Sequence, residues 1–259
     1  MSSLPFELAA ATVQGREHAR AGRNNQDAFW ARESEHGLAA VVTDGCGSGV
    51  QSELGAQLGA RRVVEGALSL LGLRMPVDSP EFLQRLGADV LCFLQALSGE
   101  LGERAIGEAL LFTVVGAVVT PEHTLVFSAG DGLWALNGEV HRLGPFPNNA
   151  PPYLAYGLLK PGAVSLKAHA LRSTAEVDSL LLGTDGVSDL AGLAEVGPLS
   201  QFWSEDRYFS NPDALRRRLS LLNRESVRAD FPARRLERVP GLLSDDTTLV
   251  VLRRQQGRA

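Results

Sequence analysis

The feature that most constrains this chain is a series of short apolar runs, rich in β-branched residues, spread along most of its length. Runs of this kind predict β-strands. Asn137-Gly138 separates two of them and tolerates the positive φ angles of a tight hairpin turn, which predicts antiparallel pairing. The runs are Leu38–Thr43, Leu110–Val119, Thr124–Ser128, Leu180–Thr184 and Thr247–Leu252, with Leu133–Leu136 and Val140–Leu143 on either side of the turn.

Two longer segments repeat apolar residues at helical spacing, which predicts helices that pack on a sheet. Ser79 is expected to cap the second helix, and Pro80 suits its first position. The apolar positions are Ala56, Ala60, Val63, Ala67 and Leu71 in the first helix, and Phe82, Leu86, Val90, Phe93, Leu97 and Leu101 in the second.

The remaining segments have a different character. Residues 144–153 are rich in proline and asparagine, which predicts a loop. From Ser188 to Leu243 the pattern is helical and rich in arginine, and solvated helix faces explain it better than a nucleic-acid patch does. A strand run follows this region, so we expect one domain over residues 1–259 that closes its sheets with its own C-terminus.

Composition narrows the class of protein. The 259 residues are 44% hydrophobic and carry a formal net charge of −5, so no bulk charge attracts nucleic acid or anionic lipid. Two cysteines argue against a disulfide framework or a cysteine-rich zinc site. No signal-like start and no stretch of ~20 apolar residues is present. We therefore expect a cytoplasmic monomer without nucleic-acid or membrane partners.

Aspartates recur beside small or polar residues at the ends of the predicted strands. One Asp-Gly after a strand is usually only a turn. Several converging carboxylates need a cation, however, and no lysine or arginine recurs beside these. Carboxylate and carbonyl oxygens suit Mg²⁺ or Mn²⁺. The segments are Asn25-Gln26-Asp27, Val42-Thr43-Asp44-Gly45, Ala129-Gly130-Asp131-Gly132, Gly183-Thr184-Asp185-Gly186 and Ser244-Asp245-Asp246-Thr247-Thr248.

Other chemistries fail on their spacing. Residues 45–50 resemble a dinucleotide-binding loop, but Val50 occupies the third glycine position and the ending of a Walker loop is missing. Cys46 as a phosphatase nucleophile would need an arginine where Ser52 stands. The five histidines show no metal-binding helical spacing, and His18 is expected to be structural.

Taken in order, the aspartate segments resemble the PPM-type (type 2C) metal-dependent Ser/Thr protein phosphatases, from about Gly15 to Leu252. The ordered set is more specific than any single motif. The resemblance implies an α+β fold: a four-layer α-β-β-α sandwich of two antiparallel sheets flanked by helix pairs, with the metals at one end. It also implies a flap beside the site, which we expect over residues 145–172 and which would set specificity.

The resemblance implies roles for individual residues. Asp44, Asp185 and Asp245 correspond to direct metal ligands, together with the carbonyl of Gly45. Asp27 is expected to orient a metal-bound water. Asp131 corresponds to an aspartate that holds a third metal in bacterial members. Two Mn²⁺ or Mg²⁺ ions would share Asp44 and a bridging water that attacks phosphorus, without a phosphoenzyme.

The sequence departs from the family pattern at the phosphate clamp. Most members carry an arginine five residues before the first aspartate, and here Gly22 stands there. We expect Arg23 to bind the phosphate, with Arg20 and Arg16 as alternatives. The spacing from Gly15 through Asp27 is similar to a bacterial sub-branch of the family.

Two further departures concern the residues around the metals. Cys46 follows Asp44-Gly45 where some animal members have histidine, so a metal-bound water is the expected proton source. Phe112-Thr113 replaces a glycine-threonine pair, which we interpret as a packing change.

The leading hypothesis is a phosphatase acting on phosphoserine and phosphothreonine of a bacterial phosphoprotein, with a cognate Ser/Thr kinase as a candidate partner. A catalytically weak, phosphatase-like regulatory or phosphoprotein-binding module is the alternative, favoured by Gly22 at the clamp position. A small-molecule phosphatase using the same site stays open.

Overall fold

A computed structural model of the chain describes residues 4–191 and 193–255. Its strands are β1 Phe6–Val13, β2 Asp27–Ser34, β3 Gly37–Asp44, β4 Val114–Val119, β5 His123–Ala129, β6 Gly132–Leu136, β7 Glu139–Leu143, β8 Lys167–Ser173, β9 Ser179–Gly183, β10 Ser226–Asp230, β11 Arg235–Val239 and β12 Thr247–Arg254. Its α-helices are α1 Arg16–Ala21, α2 Ser52–Gly72, α3 Pro80–Leu101, α4 Ala105–Ala109, α5 Tyr156–Leu159, α6 Asp185–Leu190, α7 Gln201–Ser204, α8 Arg207–Ser210 and α9 Ala214–Leu222. Two 3-10 helices span Pro147–Asn149 and Thr174–Glu176.

The strands form two five-stranded antiparallel sheets and one separate hairpin. The first sheet has the order β1-β12-β9-β6-β7, and the second has the order β2-β3-β4-β5-β8. Strand β1 pairs with β12, so the two ends of the described chain lie side by side. Strands β10 and β11 pair only with each other among the described strands.

Three apolar clusters separate four layers. Helices α2 and α3 pack on the outer face of the second sheet, helices α6 to α9 pack on the outer face of the first, and the two sheets pack on each other. Successive residues of a strand point to opposite faces, so Val41 contacts the helices while Ala40 and Val42 face the other sheet. Burial on both faces explains the continuous apolar runs. The predicted sandwich is confirmed, although short helices rather than a long pair cover the first sheet.

Several predicted elements begin or end elsewhere. The strand predicted over Leu110–Val119 begins only at Val114, as β4. Leu110 is the C-cap residue of helix α4, and Phe112 makes only an isolated bridge to Gly45. Ser79 occupies the N-cap position of α3, but its hydroxyl makes no capping hydrogen bond. Leu101 stays 54% exposed at the end of the same helix. Residues 167–172 of the expected flap lie in strand β8.

The prediction of helical structure from Ser188 to Leu243 is wrong for its last third. Helix α9 ends at Leu222, and strands β10 and β11 follow, with Ser226 opposite Val239. The sequence does contain a strand signal here, because apolar and polar residues alternate at Val227, Ala229 and Phe231. The surrounding arginines, which are typical of solvated helix faces, led to the prediction of a helix instead. No helix of the described residues is long and apolar enough to cross a membrane.

The replacement of a family glycine by Phe112 is a packing change, and α2 compensates for it. The Phe112 side chain is buried, and its ring occupies the space that a Cβ at Gly59 would need. A glycine in a helix interior is normally unfavourable by roughly 0.5–1 kcal/mol relative to alanine. At position 59, the close approach of the Phe112 ring explains why the helix has glycine rather than alanine.

We predict that Gly59→Ala lowers the free energy of unfolding by about 1–3 kcal/mol, because overpacking a rigid ring outweighs the gain in helix propensity. The matched control is Gly99→Ala in α3, where a new Cβ meets nothing within 4 Å. That variant should gain up to about 1 kcal/mol. Urea denaturation measures both, and equal effects would contradict the account.

Candidate metal centre

Antiparallel pairing brings the predicted carboxylates to one end of the sandwich. Asp27 begins β2 directly opposite Asp44, which ends β3. In the first sheet, Gly183 at the end of β9 pairs with both Leu133 of β6 and Leu249 of β12. The residues that follow β9 and those that precede β6 and β12 therefore also lie close together. Those residues are Asp131, Asp185 and Asp245. The order of strands thus gathers carboxylates that are far apart in the chain.

The link from β5 to β6 crosses from the second sheet to the first. It consists of Gly130 and Asp131 and is followed by Gly132, the first residue of β6; both glycines have positive φ angles, of 100° and 129°. Other residues rarely adopt such angles. The two glycines therefore allow the sharp crossing that presents Asp131 between the sheets.

Four of the predicted aspartates line one open cavity of about 510 Å³. Its lining includes the chain from Asp44 to Ser48 and part of the loop after Gly144. The cavity is lined by Asp44, Asp131, Asp185 and Asp245, with Gly45, His18, Gln26, Cys46, Gly47, Ser48, Leu111, Asn148, Ala150, Pro151, Tyr153 and Tyr156.

Asp27 lies behind this cavity rather than in its lining. Its side chain is 4% exposed and accepts a hydrogen bond of 2.8 Å from the hydroxyl of Thr184. Because Thr184 belongs to the first sheet's end and Asp27 to the second sheet, this contact joins the two sheets beside the site.

Crowding and burial make it unfavourable for these carboxyl groups to ionise. Burial raises the pKa of Asp44 well above its ordinary value, and Asp27, Asp185, Asp245 and Asp131 raise it further. Burial, then Asp245 and Asp131, raise the pKa of Asp185 to about 7. Burial also raises the pKa values of Asp27 and Asp131. The protein thus concentrates negative charge where water is partly excluded.

The donor set fits hard divalent cations. Among the described residues, no arginine or lysine lies within 4 Å of these carboxylates or in the lining of the cavity. The side-chain oxygen of Gln26 is buried at the cavity without a hydrogen-bond partner in the described chain. Carboxylate oxygens, a carbonyl and an orphaned polar oxygen suit Mg²⁺ or Mn²⁺ and their water.

Asp246 organises the edge of the site, a role that the sequence did not reveal. Its carboxylate is 2% exposed and accepts hydrogen bonds from the backbone N–H groups of Gly15 and Gln26, at 2.6 and 2.5 Å. His18 Nδ1 lies 2.8 Å from the Asp246 Oδ2 atom and 3.7 Å from Asp245 Oδ1. Asp246 therefore fixes α1 and the start of β2 relative to Asp245.

His18, Asp245 and Asp246 could by themselves hold an ion, since their ligand atoms lie within 4.8 Å of one another. Both oxygens of Asp246 already accept backbone hydrogen bonds, however. We therefore interpret His18 and Asp246 as residues that position Asp245. The signal in the sequence was the second aspartate of Asp245-Asp246, next to buried Thr247.

The arginines near the site are engaged elsewhere. The Arg23 guanidinium donates to the carbonyl of Gly47, a lining residue, while Arg20 pairs with Glu17 and Arg16 with the carbonyl of Gly241. Gly22 ends helix α1 with φ of 65° and ψ of 25°. Glycine adopts this left-handed conformation more readily than residues that carry a Cβ.

Residues of the loop after Gly144 line the same cavity as the aspartates. Tyr153 is buried there, and burial together with the Cys46 thiol raises the pKa of its hydroxyl. Cys46 Sγ lies 3.2 Å from the hydroxyl of Ser48. Although burial opposes it, hydrogen bonding to Ser48 and Tyr153 leaves the pKa of the Cys46 thiol below its usual value. These polar groups narrow the cavity beside Asp44.

Comparison with known proteins agrees with this geometry. The model of the protein phosphatase 2C family matches residues 14–230. The chain therefore belongs to the protein phosphatase 2C family. A comparison with curated proteins gives no match.

Solved structures show the same fold at low sequence identity. A bacterial serine phosphatase is 15% identical, with a TM-score of 0.60, covering 98% of this chain and 100% of that one. Stp1 from Staphylococcus aureus is 14% identical, with a TM-score of 0.60 and coverage of 97% and 95%. The catalytic domain of the Ser/Thr phosphatase PstP, in complex with two manganese ions, is 16% identical, with a TM-score of 0.53 and coverage of 96% and 97%.

We predict that the chelator-treated protein loses stability as pH rises from about 5 to about 7.5. The folded state keeps a proton on Asp185 up to a pKa of about 7, whereas the unfolded carboxyl loses it near 3.8. The folded state therefore binds more protons than the unfolded state over this range, so the free energy of unfolding falls as pH rises. Asp185→Asn should weaken this dependence and raise the melting temperature at pH 7.5.

Scanning fluorimetry with EDTA and with MnCl₂ measures this effect. Mn²⁺ should raise the melting temperature of the wild type and much less that of the variant. Asp78→Asn, at an exposed position, serves as the control and should behave as the wild type. An unchanged pH dependence in Asp185→Asn would refute the assignment of charge crowding to this site.

Proposed function

We propose that this chain hydrolyses phosphoserine and phosphothreonine in proteins with two Mn²⁺ or Mg²⁺ ions, held by Asp44, Asp185, Asp245 and the carbonyl of Gly45. One observation carries the proposal: carboxylates from four separate strand ends line one open cavity that contains no lysine or arginine among its described residues. The two manganese ions bound to PstP, which shares the fold, support the choice of metal.

The bound ions would supply positive charge for the phosphoryl group and lower the pKa of the attacking water. The chain's own residues would orient the reactants. Asp27, fixed by Thr184, lies behind Asp44 and would accept a hydrogen bond from water. Asp246 and His18 would hold Asp245 in position. Asp131, at the far side of the cavity, is our candidate for holding a third ion.

Arg23 is the residue we propose for binding the substrate phosphate. Its guanidinium contacts the carbonyl of Gly47 at the rim of the cavity, and side-chain rotation would bring it toward the aspartates. Residues 145–166 would act as the flap, since Asn148 and Tyr153 face the same space. We further propose one phosphatase domain over residues 1–259, active as a monomer and opposed by a cognate Ser/Thr kinase.

A second candidate function follows from the same geometry. No arginine is among the described residues that line the cavity, which favours a catalytically weak module that binds metal or phosphoprotein for regulation. Calorimetric titration with Mn²⁺, together with an assay of phosphate release, separates the two candidates. Mn²⁺ binding together with hydrolysis of a phosphothreonine peptide supports the enzyme, and Mn²⁺ binding without any hydrolysis supports the module.

We predict that Asp44→Asn reduces Mn²⁺-dependent hydrolysis of p-nitrophenyl phosphate and of a phosphothreonine peptide by about 100-fold or more, because the shared ligand loses its charge. Phosphate release is the measurement, and Asp78→Asn is the control. Equal activity in wild type and Asp44→Asn would rule out the role of Asp44 as the shared metal ligand, and inactivity of both across metals would rule out the enzyme. Activity on p-nitrophenyl phosphate alone would favour small-molecule substrates.

For Arg23→Ala we expect KM for the phosphopeptide to rise about tenfold, since a charge-assisted hydrogen bond to phosphate is lost. Arg23→Lys should restore part of the affinity. Arg20→Ala, whose guanidinium pairs with exposed Glu17, is the matched control and should leave KM unchanged. If Arg20→Ala raises KM and Arg23→Ala does not, the clamp has been assigned to the wrong arginine.

A further inference from the structure

The β10–β11 hairpin, with its flanking residues 225–240, is the part of the described chain least involved in the sandwich. Its two strands pair with each other and with no other described strand, so both of its edges are open. Nearly every residue in it is exposed. We call residues 225–240 the hairpin arm.

The hairpin arm displays apolar side chains to solvent. Phe231 at its tip is 84% exposed, Leu236 67% and Val227 52%. An isolated two-stranded hairpin is at best marginally stable in water, and exposed apolar groups and open edges are features of interaction sites. The arm therefore has the properties of a surface that another chain covers.

The charge of the arm and its base is opposite to that of the whole chain. Residues 225–240 contain four arginines and three acidic residues, a net charge of +1, although the chain carries a net charge of −5. Arg235 pairs with Asp230 and Arg238 with Glu225. The guanidinium groups of Arg228 and Arg234 have no hydrogen bond or ion pair within the described residues. Arg228 stands opposite Glu237 in the hairpin without forming an ion pair, so both guanidinium groups are available to an anionic partner.

The base of the arm is tied to helix α1 and to the segment that leads into Asp245. At its base, the N–H of Leu242 donates to the carbonyl of Leu222, and the Arg16 guanidinium donates to the carbonyl of Gly241. The N–H groups of Arg16 and Glu17 donate to Leu243 and Ser244, the residues that lead into Asp245. The arm is thus joined through residues 241–244 to Asp245, which lines the aspartate cavity.

We propose that the hairpin arm docks an acidic, extended segment of the phosphoprotein substrate, an inference that rests on the proposed phosphatase function. The segment would pair with an open strand edge, place its carboxylates near Arg228 and Arg234, and cover Leu236 or Phe231. A second copy of this chain fits less well. Symmetric antiparallel pairing of two β10 strands about their central residue would bring the two Arg228 side chains against each other.

The test uses two fluorescein-labelled phosphothreonine peptides that differ only in a flanking run of four glutamates or four glutamines. The variant is Arg228→Glu with Arg234→Glu in the full-length protein. The control, Arg85→Glu with Arg104→Glu, makes the same charge change at exposed positions on α3 and next to α4. Fluorescence anisotropy reports binding, which needs no turnover, and phosphate release reports kcat and KM.

We expect the arm variant to bind the glutamate peptide about tenfold more weakly than the wild type, with KM raised and kcat unchanged. Binding of the glutamine peptide and hydrolysis of p-nitrophenyl phosphate should not change. Replacing residues 225–240 with two glycines should have the same effect, because Asn223 and Gly241 already lie in contact. Melting temperatures verify folding.

Three results would overturn the proposal: equal binding by wild type and arm variant, an equal loss in the control variant, or a dimer in sedimentation that the arm substitutions dissociate. Failure of the phosphatase function would look different. In that case no protein would release phosphate, while the anisotropy difference between the two peptides would persist.

Discussion

The mutual repulsion of carboxylates gathered at one end of a two-sheet sandwich is the constraint on which the rest of this structure depends. Asp44, Asp131 and Asp185 share a partly buried cavity, and each raises the pKa of a neighbour or has its own raised by burial. Folding alone does not stabilise such an arrangement, because unpaired buried charge is costly. A bound divalent cation would stabilise it, and the proposed metal centre would in this way link the stability of the fold to its chemistry.

The antiparallel topology explains why distant residues meet. Asp27 and Asp44 are opposite each other across β2 and β3, while the other aspartates stand just beyond paired ends in the first sheet. Membership of the protein phosphatase 2C family is consistent with this convergence. The hairpin arm ends at residue 240, five residues before Asp245, so the arm and the candidate centre are neighbours in the chain.

The sequence alone predicted the features that depend on interactions between residues close together in the chain. Buried strands read as apolar runs, the Asn137-Gly138 turn has φ angles of 49° and 87°, and α2 and α3 follow their apolar spacing. That the aspartates lie close together could be predicted only from the order of their motifs along the chain, and not from any single motif. The role of Asp246 could not be predicted, because its hydrogen bonds come from residues more than 200 positions away. The β10–β11 hairpin was missed because it has no buried face to impose a strong pattern.

The central claim is that the aspartate cavity binds two hard cations, and anomalous diffraction from crystals grown with MnCl₂ tests it most directly. The account predicts two manganese peaks about 3.5–4 Å apart, between Asp44, Asp185, Asp245 and the carbonyl of Gly45. No peak in that cavity, or a single ion held only by His18, Asp245 and Asp246, would contradict it.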